Sequence, residues 1–294
     1  MNAMPEVQTK MHTKRSPGFS LRRHPWYNVV FSLLGFIWLI FSFYPIFYML
    51  MTSLRSQQGF LTGIPWMPSA HPTIENFVTV LQAGFGQFFL NSVVVSVSSV
   101  ILIVGSSLLS AYVIVRSKNK FIRLVFNVFL VGLAIPIQAA IIPIYIMITK
   151  MGLYDTLLGL ILPSVAFGLP LTLLILVNFV RDIPNELYES MGLEGAGDFT
   201  ILFRLVMPLS IPSIVSVSIY DFIQSWNNFL FPLVLTQSTQ TRVLPMAIVS
   251  FQGQYTMNVP VLMAAVILSA LPLILAYVFG RRYLLKGLLA GFGK

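Results

Sequence analysis

Long charge-free apolar stretches alternate along the chain with short polar segments. Residues 24–54, 76–115, 124–149, 156–180, 222–241 and 243–280 contain no Asp, Glu, Lys or Arg. Each holds about 20 helical residues, the length that crosses the hydrocarbon of a bilayer. The runs are unbroken rather than alternating with period two, which argues for helices and against a membrane β-barrel. The pattern predicts six helices, near 28–51, 88–115, 122–148, 157–180, 208–235 and 261–280. The run 76–115 exceeds one span, and its first part, Phe77 to Gln87 with Gly84 and Gly86, is expected outside the bilayer. Pro136, Pro143, Pro163 and Pro170 are expected to kink or end helices.

Composition makes lipid the solvent. Hydrophobic residues are 56% of the chain and charged residues 9%, against about a quarter charged in soluble domains. The chain has no cysteine, which excludes disulfides and cysteine-held metals.

Charge then orients the spans. Fifteen basic residues fall on one side of a six-span topology: Lys10, Lys14, Arg15, Arg22, Arg23, Arg116, Lys118, Lys120, Arg123, Arg181, Arg204, Arg281, Arg282, Lys286 and Lys294. Three, Arg55, Lys150 and Arg242, fall on the other. This asymmetry makes the first side cytoplasmic and places both termini there. It also accounts for the net charge of +9 without a nucleic-acid partner. Residues 1–27 read as a basic cytoplasmic tail, expected to be disordered, and 28–294 as the transmembrane domain. No small-residue cleavage site follows the first apolar run, so that run reads as a retained signal anchor.

One cytoplasmic loop breaks the positive-inside trend. It carries Asp182, Glu186, Glu189, Glu194 and Asp198, five of the nine acidic residues. Pro184 suits a helix start, with Asp182 or Asn185 as cap and Glu186 complementing the dipole. Leu187 and Met191 lie at i and i+4 and form an expected apolar knob. Gly192, Gly195 and Gly197 then break the helix, and a second helix starts at Asp198. The pattern predicts a short amphipathic helix between spans four and five, able to dock into a groove on a cytoplasmic partner. From pattern alone, a solvated connection with capped helices fits equally.

The segment Glu189-Ser190-Met191-Gly192-Leu193-Glu194-Gly195-Ala196, followed by Leu205-Val206-Met207-Pro208, resembles the EAA loop of ABC importer permeases. Glu189, Gly195 and Pro208 match its spacing, whereas Ser190 and Met191 replace its two alanines. Asn91-Ser92, Ala111-Tyr112, Gly152-Leu153-Tyr154-Asp155-Thr156, Trp226-Asn227-Asn228-Phe229 and the closing segment from Tyr283 to Lys294 resemble further motifs of the family in order. Together they are similar to the shorter permease of maltose and glycerol-3-phosphate systems. The resemblance implies an all-α membrane protein with a cytoplasmic coupling helix between helices 4 and 5, in a bacterial or archaeal inner membrane. It implies a second homologous permease, a different chain, two ATPase subunits and an extracytoplasmic solute-binding protein as partners. ATP and Mg would be used by the ATPase subunits, with no cofactor bound by this chain. Glu186, Leu187, Glu189, Ser190, Met191, Gly192, Glu194, Gly195 and Ala196 become the ATPase-docking candidates. The solute would be a sugar or sugar-like molecule, moved by alternating access.

Polar residues at membrane depth are further candidates, because burying charge in lipid is costly. Asp221, Gln224 and Asn228 would share one helix face, beside Trp226 and Asn227. Together with Asn91 and Gln138 these are pathway or gating candidates. Helix–helix hydrogen bonding explains the same residues. Arg242, Gln252, Gln254 and Tyr255 are binding-protein contact candidates by family analogy. Two other classes compete: a stand-alone secondary transporter or channel using Asp221, and a membrane enzyme. The latter lacks a catalytic constellation, since His12, His24 and His71 are scattered.

Overall fold

The computed structural model describes residues 25–64, 66–250 and 257–292. The chain divides into two units, residues 1–47 and 48–294. The first unit is represented by most of α1 (Pro25–Ser53), which is apolar along its length and passes through Pro45. Residues 1–24, with the expected disordered tail and five of the basic residues behind the charge tally, lie outside the described residues, as do the side chains of 281–294.

The second unit is helical, with no strand of two or more residues among the described residues. Short α2 (Gln57–Thr62) and α3 (Glu75–Val80) lead through a π-turn at Leu81–Phe85 into α4 (Gly86–Arg116). Then follow α5 (Lys120–Val131), a 3-10 turn at Gly132–Ala134, α6 (Ile137–Lys150) and α7 (Leu157–Arg181). Short α8 (Asn185–Leu193) and α9 (Asp198–Ile201) pass through a π-turn at Leu202–Val206 to α10 (Met207–Leu209) and α11 (Ile211–Trp226). The chain closes with α12 (Leu230–Leu235), α13 (Leu244–Ser250) and α14 (Val259–Phe292). Among the described residues, four helical stretches are long and apolar enough to cross a membrane, or six if each of two bent pairs is one span.

Both bent pairs lie within expected spans, the first at Pro136, where a kink or an end is expected. The helix expected over 122–148 is broken between α5 and α6 by a 109° bend. Pro136 disfavours helical backbone at the preceding residue, and Ile135 is extended, with φ −84° and ψ 112°. The helix expected over 208–235 is bent by 74° at Ser210 and interrupted again after Trp226. Pro212 cannot donate to the carbonyl of Pro208, and its ring crowds that carbonyl, so the ladder turns there. Pro163 and Pro170, by contrast, sit inside a continuous α7. The second span is longer than expected: Glu75–Arg116 is helical over 42 residues, with its kink at Gly84, φ +91°. At about 1.5 Å per residue it is roughly twice the length the hydrocarbon needs, so part of it extends beyond the hydrocarbon.

α4 and α7 pack against each other along the centre of this unit, with α11 crossing both. The buried face of α4 is rich in small residues, with Ser92, Ser96, Ser99, Ser107 and Ala111 among its larger apolar side chains. Small side chains let helix backbones approach closely where lipid offers no hydrophobic drive between helices.

Candidate functional site

Two polar assemblies occupy the two ends of α4. At its C-terminal end lies the acidic loop. α8 begins at Asn185, with Pro184 in the capping position and no side-chain bond from it. Its far end is a Schellman motif. Gly195 adopts φ +79°, its N–H donates to Gly192 (3.0 Å), and Ala196 N–H donates to Met191 (3.0 Å). Ala196 and Met191 are half-buried and pack on the cluster formed by Leu108, Leu176, Val180, Ile201 and Leu202. The motif glycine is therefore the residue that lets this helix stop and turn.

α8 has two faces. Tyr188, missed by the sequence pattern, is its buried anchor. Glu186, Glu189, Ser190 and Leu193 recur at helical spacing on the exposed side, with Leu187, Gly192, Glu194 and Gly195 also exposed. The expected apolar knob of Leu187 plus Met191 is corrected: Met191 turns toward the core. Leu193, 91% exposed, is the apolar tip instead, and Phe199 and Phe203 stand exposed nearby in sequence. Leu193 escapes the pattern because it lies six residues from Leu187, outside the i, i+4 pairing that selects the knob.

The loop is tied to α4 by two contacts. Tyr112 Oη donates to Asp198 Oδ1 at 2.8 Å. The Arg116 guanidinium lies over the Tyr188 ring, 4.6 Å from its centroid. Burial pushes the Tyr188 phenol up, and the Arg116 charge pulls it the other way.

At the N-terminal end, α4 grips the segment 237–244. Asn91 Nδ2 donates to the carbonyls of Gln240 (2.7 Å) and Arg242 (2.8 Å) and its Oδ1 accepts from Gln87 (3.0 Å). Ser92 Oγ accepts from Leu244 N–H at 2.9 Å. From the other flank, Asp155 accepts from the N–H groups of Gln237 (2.9 Å) and Ser238 (3.0 Å) and from the Thr241 hydroxyl. Burial raises the Asp155 carboxyl, but these hydrogen bonds outweigh it and hold it at about 2, below the usual 3.8. Asp155 itself has φ +57° and Gly152 φ +70°, while Thr156 caps α7 through Gly159 N–H (3.1 Å). The Gly-Leu-x-Asp-Thr segment is thus a turn, a bridge and a cap in succession.

Between these ends Asp221 is buried, 2% exposed, and accepts from Thr172 Oγ1 at 2.8 Å. Gly168 opposite leaves room for it: an added Cβ would lie 3.5 Å from Asp221 Oδ1 and 2.5 Å from Ile103 Cδ1. The expected shared face of Asp221, Gln224 and Asn228 does not form, because α11 ends at Trp226. Gln224 is exposed and donates to Tyr220 Oη (3.3 Å), and Asn228 Oδ1 accepts from Phe231 N–H (3.1 Å) at the start of α12. Trp226 is buried against Phe89 and Phe222 and donates to Ser269 O at 3.1 Å. Asn227 is exposed and donates to Ile223 O at 3.0 Å, and Gln138 is exposed in the first turn of α6. Gln252, Gln254 and Tyr255 lie outside the described residues.

Residues 102–289 match the family described as "Binding-protein-dependent transport system inner membrane component". The chain is 39% identical over 266 residues to the ABC transporter permease protein ORF2 of Caldicellulosiruptor sp. (strain Rt8B.4), covering 90% of this chain and 95% of that one. It is 34% identical over 250 residues to the diacetylchitobiose uptake system permease protein of Streptomyces coelicolor, covering 84% and 82%. In fold it is similar to a chain of a bacterial ABC transporter involved in the import of alginate, with TM-score 0.79 and 20% identity over 91% of this chain and 99% of that one.

Proposed function

The chain belongs to the family of binding-protein-dependent transport system inner membrane components, the permease subunits of ABC importers, and on that premise we propose that it carries a sugar or sugar-like solute inward. The solute class is supported by the diacetylchitobiose uptake permease among its relatives. The single observation that carries the mechanism is α8. It is a short helix with an acidic and apolar exposed face, anchored by Tyr188 and closed by Gly195. An element with one face fixed to the body and the other free suits docking into a cleft on a soluble partner.

On this reading α8 is the coupling helix, on the cytoplasmic side with both termini. Glu186, Glu189 and Glu194 meet basic or amide groups of an ATPase subunit, and Leu193 enters its cleft. Two ATPase subunits hydrolyse ATP with Mg, and this chain is not the enzyme. A second, different permease completes the pathway in the inner membrane, and a solute-binding protein meets the opposite face near Arg242. Closure of the ATPase pair moves α8, and the spans alternate between outward and inward openings.

Coexpression with the neighbouring genes, followed by copurification and an ATPase assay, tests this. Wild type is expected to bring down an ATPase whose activity rises with loaded binding protein. Glu189→Lys combined with Gly195→Pro is expected to lose both. Transport that persists in that variant with no ATPase bound would sink the reading.

A further inference from the structure

The loop that bears α8 makes two contacts with side chains near the end of α4, a hydrogen bond from Tyr112 and a cation stack from Arg116. Tyr112 is buried in α4, and its hydroxyl reaches Asp198 at the first position of α9 (2.8 Å). One turn further along α4, Arg116 stacks on Tyr188, the buried anchor of α8 (4.6 Å). Beneath both contacts, Leu108 and Ala111 of α4 pack in one cluster with Tyr188, Ile201 and Leu202. The direct covalent route from α8 to the later spans runs through a π-turn and the 74° bend at Ser210. A hinged route of that kind absorbs displacement. α4 is a single unbroken helix, and at its other end Asn91 and Ser92 hold the segment 240–244. Residues 91 and 112 are separated by about 30 Å along the helix axis.

We propose that Tyr112 and Arg116 latch the α8–α9 element to α4, so that displacement of α8 is conveyed along α4 to the segment 240–244 on the opposite face. Tyr112 and Arg116 are positioning residues, and this role rests on the docking reading of α8. The latch is a pair contact. A hydroxyl donor on α4 needs an acceptor at position 198, and the charge of that acceptor is secondary.

The test uses the assembled complex in proteoliposomes with its binding protein and solute. Tyr112→Phe keeps the ring and removes the donor, and Asp198→Ala removes the acceptor. Each is expected to leave ATPase copurification and basal hydrolysis at the wild-type level while lowering binding-protein-stimulated hydrolysis and uptake about five-fold or more. Asp198→Asn retains an acceptor and is expected to behave as wild type. Tyr112→Phe with Asp198→Ala is expected to be no worse than either alone. Arg116→Gln is expected to add to the loss. Wild-type stimulation in Tyr112→Phe overturns the latch while leaving the docking reading intact. Additive losses in the double variant also overturn it, since the two groups would then act separately. A wild-type chain that assembles with no ATPase overturns the docking reading, and the latch with it.

Discussion

A glycine is informative only where something occupies the place of its missing side chain. At Gly159 an added Cβ would stand 2.4 Å from the Leu153 carbonyl oxygen and 3.3 Å from Ile148 Cγ2. That carbonyl already accepts from Thr156 Oγ1 (2.7 Å), and Thr156 caps α7 at Gly159 itself. Backbone cannot yield here without disturbing the cap. Gly159→Ala is therefore expected to cost roughly 1–3 kcal/mol, read as a lower unfolding temperature in detergent. Gly192→Ala is the contrast. Nothing lies within 4 Å of its added Cβ, and the position is helical, so it should gain up to about 1 kcal/mol from helix propensity. Equal effects at the two sites would show that the packing at Gly159 is looser than described.

Elements were legible where a pattern had one cause and illegible where two competed. The runs 28–51 and 157–180 were readable because nothing within them opposes a helix except prolines that a buried or lipid-facing helix tolerates. The positions of the breaks in the third and fifth spans do not show in hydropathy, which measures only the transfer to lipid. It is blind to whether Pro136 and Pro212 let the backbone continue. In the site, spacing revealed α8 and Gly195, since a helix stop leaves a local signal. Which face of α8 is buried, and that Tyr188 anchors it, depends on α4 and α7, which are distant in sequence. Asp155 shows the same limit. Its motif was visible, yet its partners Gln237, Ser238 and Thr241 lie more than 80 residues away. Its carboxyl is held at about 2 against 3.8 when unconstrained. The unfolded chain then binds more protons in that window, so the stabilisation is present above 3.8 and is lost as pH falls toward about 2. Solvent access to the loop keeps the contribution modest. Asp155→Asn, which tolerates the left-handed backbone, should be less stable than wild type near neutrality. The gap in unfolding temperature should close as pH falls through that window. A gap that stays constant with pH would assign the effect to something other than the charge.

At the scale of the whole molecule, the question is which end of α4 faces the cytoplasm. The basic asymmetry of 15 against 3 predicts that the α8 end is there. Nine of the fifteen sit in residues 1–24 and 281–294. The proposed function needs the same orientation, because ATPase subunits and a solute-binding protein must meet opposite faces. The absence of cysteine from the chain allows a direct test, since any introduced thiol is the sole one. Leu193→Cys and Thr239→Cys place thiols at exposed positions beyond the two ends of α4. A membrane-impermeant maleimide should label Leu193→Cys in inverted vesicles and Thr239→Cys in intact spheroplasts, and neither in the reverse preparation. Bound ATPase subunits should shield Leu193→Cys and leave Thr239→Cys reactive. Labelling of both from one side would mean that the bent pair around Ser210 turns back within the membrane. The number of crossings between the two positions would then be even, and a complex built on a cytoplasmic α8 with an external 237–244 segment could not assemble.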